Sequence, residues 1–255
     1  ANVGLGYQAG NAITTGPYNI AIGYRAMYAT SGTVTGGNNI ALGQSTLNSV
    51  TSGGDNFGAL LSAGTNITTG NNNVTLGREA GESITTGSDN IAIGYQSGDS
   101  ISTGLYNITL GNNAGAAITG GRSNVYLGLY AGRYNTASDN IAIGEAALQG
   151  TSGSSTGSGN TAIGDNAGAA VTSGYNNVIV GNGTAIASTT GYSNVYIGEA
   201  AAGAVTTADS NTVIGVRAFE KITTGSDNVV VGKNACRGQT GGVVGNSNVL
   251  IGDSV

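Results

Sequence analysis

The chain of 255 residues has a formal net charge of −5 and only 8% charged residues, so it lacks the basic stripe that neutralises nucleic-acid phosphates. It has 47 Gly, one Pro, two Phe and no Trp, and no uninterrupted apolar run reaches the ~18 residues of a membrane span. Because Ile, Val and Thr still recur regularly, we expect an ordered chain with a thin, long core, no nucleic-acid partner and no membrane insertion of this segment.

One short unit is repeated along the chain. Asn followed by a short apolar strand recurs at an even spacing, as at Asn73, Asn90 and Asn107, and three of the intervals are longer by three positions. The template is N-[IV]-x-[IL]-G-x-x-A-G-x-x-[IV]-T-T-G-x-x, and its positions are numbered 1 to 17 from the Asn. A fixed short period is typical of a solenoid. We therefore predict an all-β fold over residues 1–255, a single parallel β-solenoid of about fifteen coils and on the order of 70 Å long.

Position 1 of each coil is Asn, which we expect at a corner. Stacked Asn side chains can hydrogen-bond to one another and to the turn backbone, and so pair groups that a bend leaves free. The alternative is glycosylation, because Asn-x-Thr acceptor sequences occur at Asn66, Asn73, Asn107 and Asn182. Asn73 and Asn107 hold ladder positions, which argues against their modification. The predicted structural ladder consists of Asn19, Asn39, Asn73, Asn90, Asn107, Asn124, Asn140, Asn160, Asn177, Asn194, Asn211 and Asn228.

Positions 2 to 4 form the strand, as in "NIAIG". Side chains alternate along a strand, so positions 2 and 4 share one face and position 3 lies on the other. We expect positions 2 and 4 to face the core. With the inward positions 8 and 12 of the later turns, the predicted core includes Ile91, Ile93, Ile101, Ile108, Leu110, Ala114 and Ile118.

Position 3 is then expected to face outward, although it is mostly apolar. An apolar stripe along a solenoid needs cover. One explanation is a second buried row in a wider coil, and the other is association of parallel chains, most simply as a trimer about a common axis. The candidate inter-chain stripe consists of Tyr126, Ile179, Tyr196, Val213 and Val230.

The second half of the coil begins with Gly at position 5, which marks a sharp bend in every repeat except the fourth, "NFGAL". The small Ala at position 8 points inward, and a second short strand, "ITTG", directs position 12 to the same interior. The loops of the three longer coils are expected to project from one corner. The single Cys236 stands where the template has Gly; we weigh a tolerated turn residue against an interchain disulfide or reactive thiol.

Few residues carry catalytic or metal-binding chemistry. His is absent, so His-based triads and His metal sites are excluded. The turn acids Asp55, Asp89, Asp139 and Asp227 share one template position but never occur in adjacent coils, which favours solvated turn formers over paired catalytic carboxylates. We predict no cofactor, no metal site and no enzymatic activity.

Tyr is the candidate contact residue, because it is enriched at interfaces and has few rotatable bonds. Several Tyr precede the ladder Asn or follow the corner Gly, where turns are expected to be exposed. Two interpretations remain open: stacking along the surface, or contact with a ligand. The candidate surface contacts are Tyr18, Tyr106, Tyr175 and Tyr192.

The repeats "NIAIGYQSGDSISTG" and "NTAIGDNAGAAVTSG" resemble the head repeats of YadA-type trimeric autotransporter adhesins and related repeats of phage tail fibres. The resemblance covers essentially the whole chain, through residues 39–43, 90–94, 140–144, 160–164 and their equivalents. It implies a left-handed parallel β-roll, three chains side by side, and display outside a cell or virion for attachment.

These observations favour an extracellular structural or adhesive fibre segment, from a bacterial surface adhesin or filament or a phage tail fibre shaft. The expected partners are further copies of the chain and a host-cell surface glycan or protein. The alternatives are an ice-binding solenoid and a polysaccharide-acting β-helix enzyme. Because the sequence starts with "ANVGLG" and stops with "NVLIGDSV", we weigh a piece of a longer shaft against head-to-tail stacking into a filament.

Overall fold

The computed structural model describes residues 1–29, 32–238, 242–243 and 245–255. The chain divides into two compact units, Ala1–Asn124 and Val125–Val255. Each unit is a parallel β-solenoid, and the described residues contain strands and turns but no helix. The predicted fold class is confirmed.

Each coil contributes one three-residue strand, which directly follows the anchor Asn. Strands of neighbouring coils pair in parallel at equivalent positions, as Ile91 pairs with Ile108 and Ala92 with Thr109. In the first unit the strands are β1 (Val3–Leu5), β2 (Ile20–Ile22), β3 (Ile40–Leu42), β4 (Phe57–Ala59), β5 (Val74–Leu76), β6 (Ile91–Ile93) and β7 (Ile108–Leu110). In the second unit they are β8 (Val125–Leu127), β9 (Ile141–Ile143), β10 (Thr161–Ile163), β11 (Val178–Val180), β12 (Val195–Ile197), β13 (Thr212–Ile214), β14 (Ile222–Thr224), β15 (Val229–Val231), β16 (Gly242–Val243) and β17 (Val249–Ile251). Strand β14 pairs with β16, and the others pair in chain order within their unit.

The strand faces are opposite to the prediction. Ala92, at position 3, is fully buried, whereas Ile91 and Ile93 at positions 2 and 4 are only half-buried. Ile108 and Leu110 are likewise half-buried, so the predicted placement of positions 2 and 4 in the core is wrong. The physical reason is that the Asn at position 1 is itself buried. Because successive side chains of a strand point to opposite faces, position 3 faces inward like position 1, and positions 2 and 4 face outward.

The candidate inter-chain stripe is therefore part of the chain's own interior. Burial raises the pKa of both buried phenols in this set, Tyr126 and Tyr196. Of the two explanations for the apolar position 3, the buried row is correct. None of the five side chains has exposed surface that a second chain could contact: Tyr126, Ile179, Tyr196, Val213 and Val230.

The rest of the predicted core is confirmed, because Ile101, Ala114 and Ile118 are fully buried. Position 9 adjusts the packing. It is Gly in many coils, and a Cβ on Gly132 would lie 2.5 Å from the Tyr126 ring. Where the coil has a small residue at position 3, a large side chain at position 9 can fill the space instead. Three buried side chains do so: Met27, Leu47 and Leu148. In these coils the larger residue at position 9 takes the place of a large side chain at position 3, as close packing favours.

Glycine is required at position 5 by conformation and by space. Gly94 has a φ of +127°, and a Cβ there would lie 2.6 Å from the Gly111 carbonyl oxygen of the next coil. Among the described residues the predicted second strand, "ITTG", is a strand at β14, which pairs with β16 in the following coil. Elsewhere this segment forms hydrogen bonds between coils without strand geometry: the Thr85 N–H donates to the Ser102 carbonyl over 3.0 Å.

The three longer coils are described in part. In the second, the added residues form a turn in which the Ser155 hydroxyl accepts the Thr151 N–H over 2.8 Å. The first and third additions include residues 30–31, 239–241 and 244, which lie outside the described residues, so the expected common corner stays a prediction.

Candidate functional site

The Asn ladder is fully hydrogen-bonded. The Asn90 side-chain amide donates to Asn73 Oδ1 over 3.1 Å and to the Gly104 carbonyl over 2.8 Å. Its own Oδ1 accepts the backbone N–H and the Nδ2–H of Asn107, each over 3.0 Å. Two donors and two lone pairs are thereby satisfied, which is the full capacity of an Asn side chain. A buried amide can persist in a dry interior only on this condition.

The same pattern recurs in each unit, so these residues form a structural ladder. Asn56, absent from the predicted ladder, belongs to it, since its amide donates to Asn39 Oδ1 over 3.0 Å. The fully buried members of the predicted set are Asn19, Asn39, Asn73, Asn90, Asn107, Asn124, Asn140, Asn160, Asn194 and Asn228, and Asn177 and Asn211 are 1% exposed.

Burial also separates the four acceptor sequons. Asn73 and Asn107 lie within the ladder with no exposed surface. Asn66 and Asn182 are exposed. Only Asn66 and Asn182 are therefore open to a modifying enzyme in the folded chain.

The outward side of the strands carries the largest regular apolar surface. We call it the aliphatic face of each unit: the side chains at positions 2 and 4 of the strands that follow the anchor Asn residues. Ile22, Ile163 and Ile214 are each more than a third exposed. In the first unit the face comprises Val3, Leu5, Ile20, Ile22, Ile40, Leu42, Phe57, Ala59, Val74, Leu76, Ile91, Ile93, Ile108 and Leu110. In the second unit it comprises Val125, Leu127, Ile141, Ile143, Thr161, Ile163, Val178, Val180, Val195, Ile197, Thr212, Ile214, Val229, Val231, Val249 and Ile251.

No charged residue interrupts either aliphatic face. Solvent-facing sheet surfaces are normally guarded by charged or polar side chains, Lys above all at edges. The sequence pattern contains the signal for this face, but alternation alone does not determine which side of the strand faces inward, and the prediction assigned positions 2 and 4 to the core.

The candidate Tyr contacts fall into two groups. Tyr175 and Tyr192 stack between adjacent coils, with ring centroids 4.9 Å apart and planes 4° apart. Tyr18 and Tyr106 are exposed, at 67% and 59%, and neither makes a ring contact with the other described residues. Both stand at position 17 with φ near +60°, which explains why Asn, Asp and Ser dominate that position.

The turn from position 6 to position 11 holds two further clusters, which we call the Arg–Tyr clusters. In the first unit the rings of Tyr7 and Tyr24 stack 5.5 Å apart, and the Arg25 guanidinium lies 5.2 Å from the ring centroids of both Tyr24 and Tyr28. In the second unit the Arg133 guanidinium lies 4.7 Å from the Tyr130 ring and 4.9 Å from the Tyr134 ring. Sequence reasoning missed the Arg component, although "YRAMY" and "YAGRY" place the residues side by side.

The carboxylates act mainly in turns. Asn38 Nδ2 donates to Asp55 Oδ1, and Asn72 Nδ2 donates to Asp89 Oδ1, each over 3.0 Å. Burial and then the neighbouring Glu79 carboxylate raise the pKa of Asp99. Within the described ranges no three carboxylates or thiols gather into a metal-binding group, and no pocket is formed.

Cys236 occupies position 9 with a φ of 47°, in the place of the usual Gly. Its thiol is half-buried and unpaired, and burial raises the pKa of the thiol. A raised thiol pKa lowers the thiolate fraction at neutral pH, which disfavours the reactive role.

Comparison with known proteins gave no match to a protein-family model, to a curated protein or to a solved structure. No helix that could cross a membrane occurs in the part of the chain that the structure describes.

Proposed function

We propose that this chain is a structural segment of an extracellular fibre, in which parallel copies associate side by side through their aliphatic faces. The observation that carries the proposal is the pairing of a buried, hydrogen-bonded Asn ladder with an uncharged apolar exterior face. Every repeated residue inside the coil serves packing or hydrogen bonding, as Asn90 and Gly94 illustrate. The aliphatic face, by contrast, is a repeated apolar feature that lies outside this packed interior among the described residues.

The size of this face suits self-association. Transfer free energies imply about 100 Å² for a fully exposed aliphatic side chain, so one unit exposes roughly 500 Å² at about one-third exposure. A stable interface buries about 800 Å² per partner, so the face of one unit supplies more than half of the area that a standard interface needs. Three parallel chains, as the adhesin resemblance implies, would cover these faces.

An ice-binding function is less well supported. Such a surface needs Thr at alternating positions on one flat face. Here the Thr85 hydroxyl donates to the Ser102 carbonyl over 3.1 Å, and only its neighbour Thr86 is exposed. The pairs at 68–69, 85–86, 189–190 and 206–207 each present one exposed Thr instead of two.

Electron microscopy of the native source with gold-labelled antibodies against this chain tests the fibre proposal. Label on thin extended structures outside the cell or on a virion is the expected result. Label confined to the cell interior, or label on the surface without any extended structure, would contradict it.

A further inference from the structure

We infer that the two Arg–Tyr clusters bind a carbohydrate that carries carboxylate groups, such as a chain of uronic acids. This inference deepens the adhesive part of the proposed function and rests on it. Among the described residues each unit holds one cluster in which an Arg guanidinium without a salt bridge lies near two exposed or half-buried Tyr rings, whereas Arg78, 5.7 Å from the Tyr95 ring, is paired with Glu79.

The guanidinium of the first cluster is oriented but lacks a counter-charge. Arg25 Nε donates to Gln8 Oε1 over 3.0 Å, and its terminal nitrogens make no hydrogen bond with the other described residues. Among the described residues, neither Arg25 nor Arg133 forms a salt bridge. Arg78 differs, because Glu79 accepts from its Nε over 2.9 Å. A guanidinium held in place and free of a carboxylate is suited to bidentate recognition of one.

The rings supply the second part of a sugar site. Tyr7 and Tyr24 hold the same position in successive coils, so coil stacking sets their rings nearly parallel, and they are 64% and 44% exposed. The ring faces that the Tyr7–Tyr24 stack and the guanidinium leave open carry negative charge density and attract the C–H groups of a sugar ring. A uronic acid presents both C–H faces and a carboxylate, which matches the pairing of Tyr with Arg.

A saccharide polymer suits these clusters better than a peptide does. The described residues form no pocket that could enclose a chain terminus or a side chain, so contact takes place on an open surface. Two clusters of like composition, one in each unit, fit a ligand that repeats, because every residue of such a polymer presents the same carboxylate and C–H groups to either cluster.

Isothermal titration calorimetry of the full chain with a glucuronic acid oligosaccharide tests this inference, with a neutral glucose oligosaccharide of equal length for comparison. We expect two sites per chain for the acidic sugar and at least tenfold weaker binding of the neutral one, since charged hydrogen bonds are lost. Arg25→Gln should leave one site, Arg133→Gln should leave the other, and Tyr24→Ala should weaken the first. Tyr175→Ala, which alters a Tyr stack without Arg, should retain both sites.

Three results would overturn the inference: no binding of the acidic sugar at millimolar concentration, equal binding of the neutral sugar, or unchanged binding by the Arg25→Gln, Arg133→Gln double variant. Preferential binding of an acidic peptide would overturn the carbohydrate assignment. Unchanged circular dichroism and melting temperature show that each variant is folded. The titration does not depend on where the protein is found. A chain that binds no sugar therefore leaves the fibre proposal unaffected, and label found only inside the cell leaves the binding result unaffected.

Discussion

Replacing Asn90 with Ala tests the ladder in the middle of the first unit. The substitution removes the Nδ2–H bonds to Asn73 Oδ1 and to the Ser88 and Gly104 carbonyls, and it removes the oxygen that accepts from Asn107. Three buried groups then lose their partner: the Gly104 carbonyl, the Asn107 backbone N–H and one Asn107 side-chain hydrogen. Asn73 Oδ1 keeps one bond, from the Asn90 backbone N–H.

Each buried group left unsatisfied costs about 1–3 kcal/mol, so the free energy of unfolding should fall by at least ~3 kcal/mol. That is a large fraction of the ~5–15 kcal/mol by which domains are stable, and it corresponds to a fall in Tm of about 10 °C. Thermal and urea unfolding followed by circular dichroism measure the change.

Asn66→Ala is the matched control, because Asn66 is exposed and its side chain makes no hydrogen bond among the described residues. Asn90→Asp adds a pH test: the variant should be less destabilised near pH 4 than at pH 7, because a protonated carboxyl again donates one hydrogen bond. If Asn90→Ala and Asn66→Ala melt at the same temperature, the ladder does not stabilise the coil and the reasoning is refuted.

Further substitutions test the corner, the core and the acidic turn. Gly94→Ala should lower Tm more than Gly153→Ala. Both positions have positive φ, but only a Cβ at Gly94 meets backbone, at 2.6 Å. Equal shifts in Tm would show that the close approach of the next coil does not require Gly. Ile101→Ala should lower the free energy of unfolding by about 2–5 kcal/mol and Ile93→Ala by about 1 kcal/mol, as measured by chemical denaturation. A larger loss for Ile93→Ala than for Ile101→Ala would indicate that positions 2 and 4 face the core. The folded-state pKa of Asp99 is raised, so the contribution of this side chain to stability falls as pH rises above the ordinary Asp pKa. Asp99→Asn should therefore raise Tm at pH 7 and leave it unchanged at pH 3. An unchanged Tm at pH 7 would contradict this prediction.

The period of the sequence was sufficient to predict the solenoid, its in-register coils and its glycine corners. These features follow from spacing and from the steric demands of Gly, which are local. The ladder was also predictable, because Asn at every position 1 needs a repeated partner.

The facing of the strand could not be read from hydropathy. Ile at positions 2 and 4 and Ala at position 3 suggest that the larger side chains are inside, yet Ala92 is buried and Ile93 is half-exposed. Two neighbours outside the strand decide the outcome: the hydrogen-bonded Asn90 and the buried Ile101 from the far side of the coil. The Arg–Tyr clusters escaped prediction for a similar reason, since the stacking of Tyr7 on Tyr24 becomes visible only when successive coils are superposed.

The mass of the purified chain in solution tests most directly whether the aliphatic face is an interface. Multi-angle light scattering at tens of micromolar should give a multiple of 24.8 kDa. The double variant Ile141→Asp, Ile143→Asp places two charges on exposed positions of β9 and should give a folded chain of 24.8 kDa. Thr103→Asp, an exposed position outside the face, should keep the wild-type mass. A wild-type chain that stays at 24.8 kDa, or a double variant that associates as the wild type does, would contradict the account.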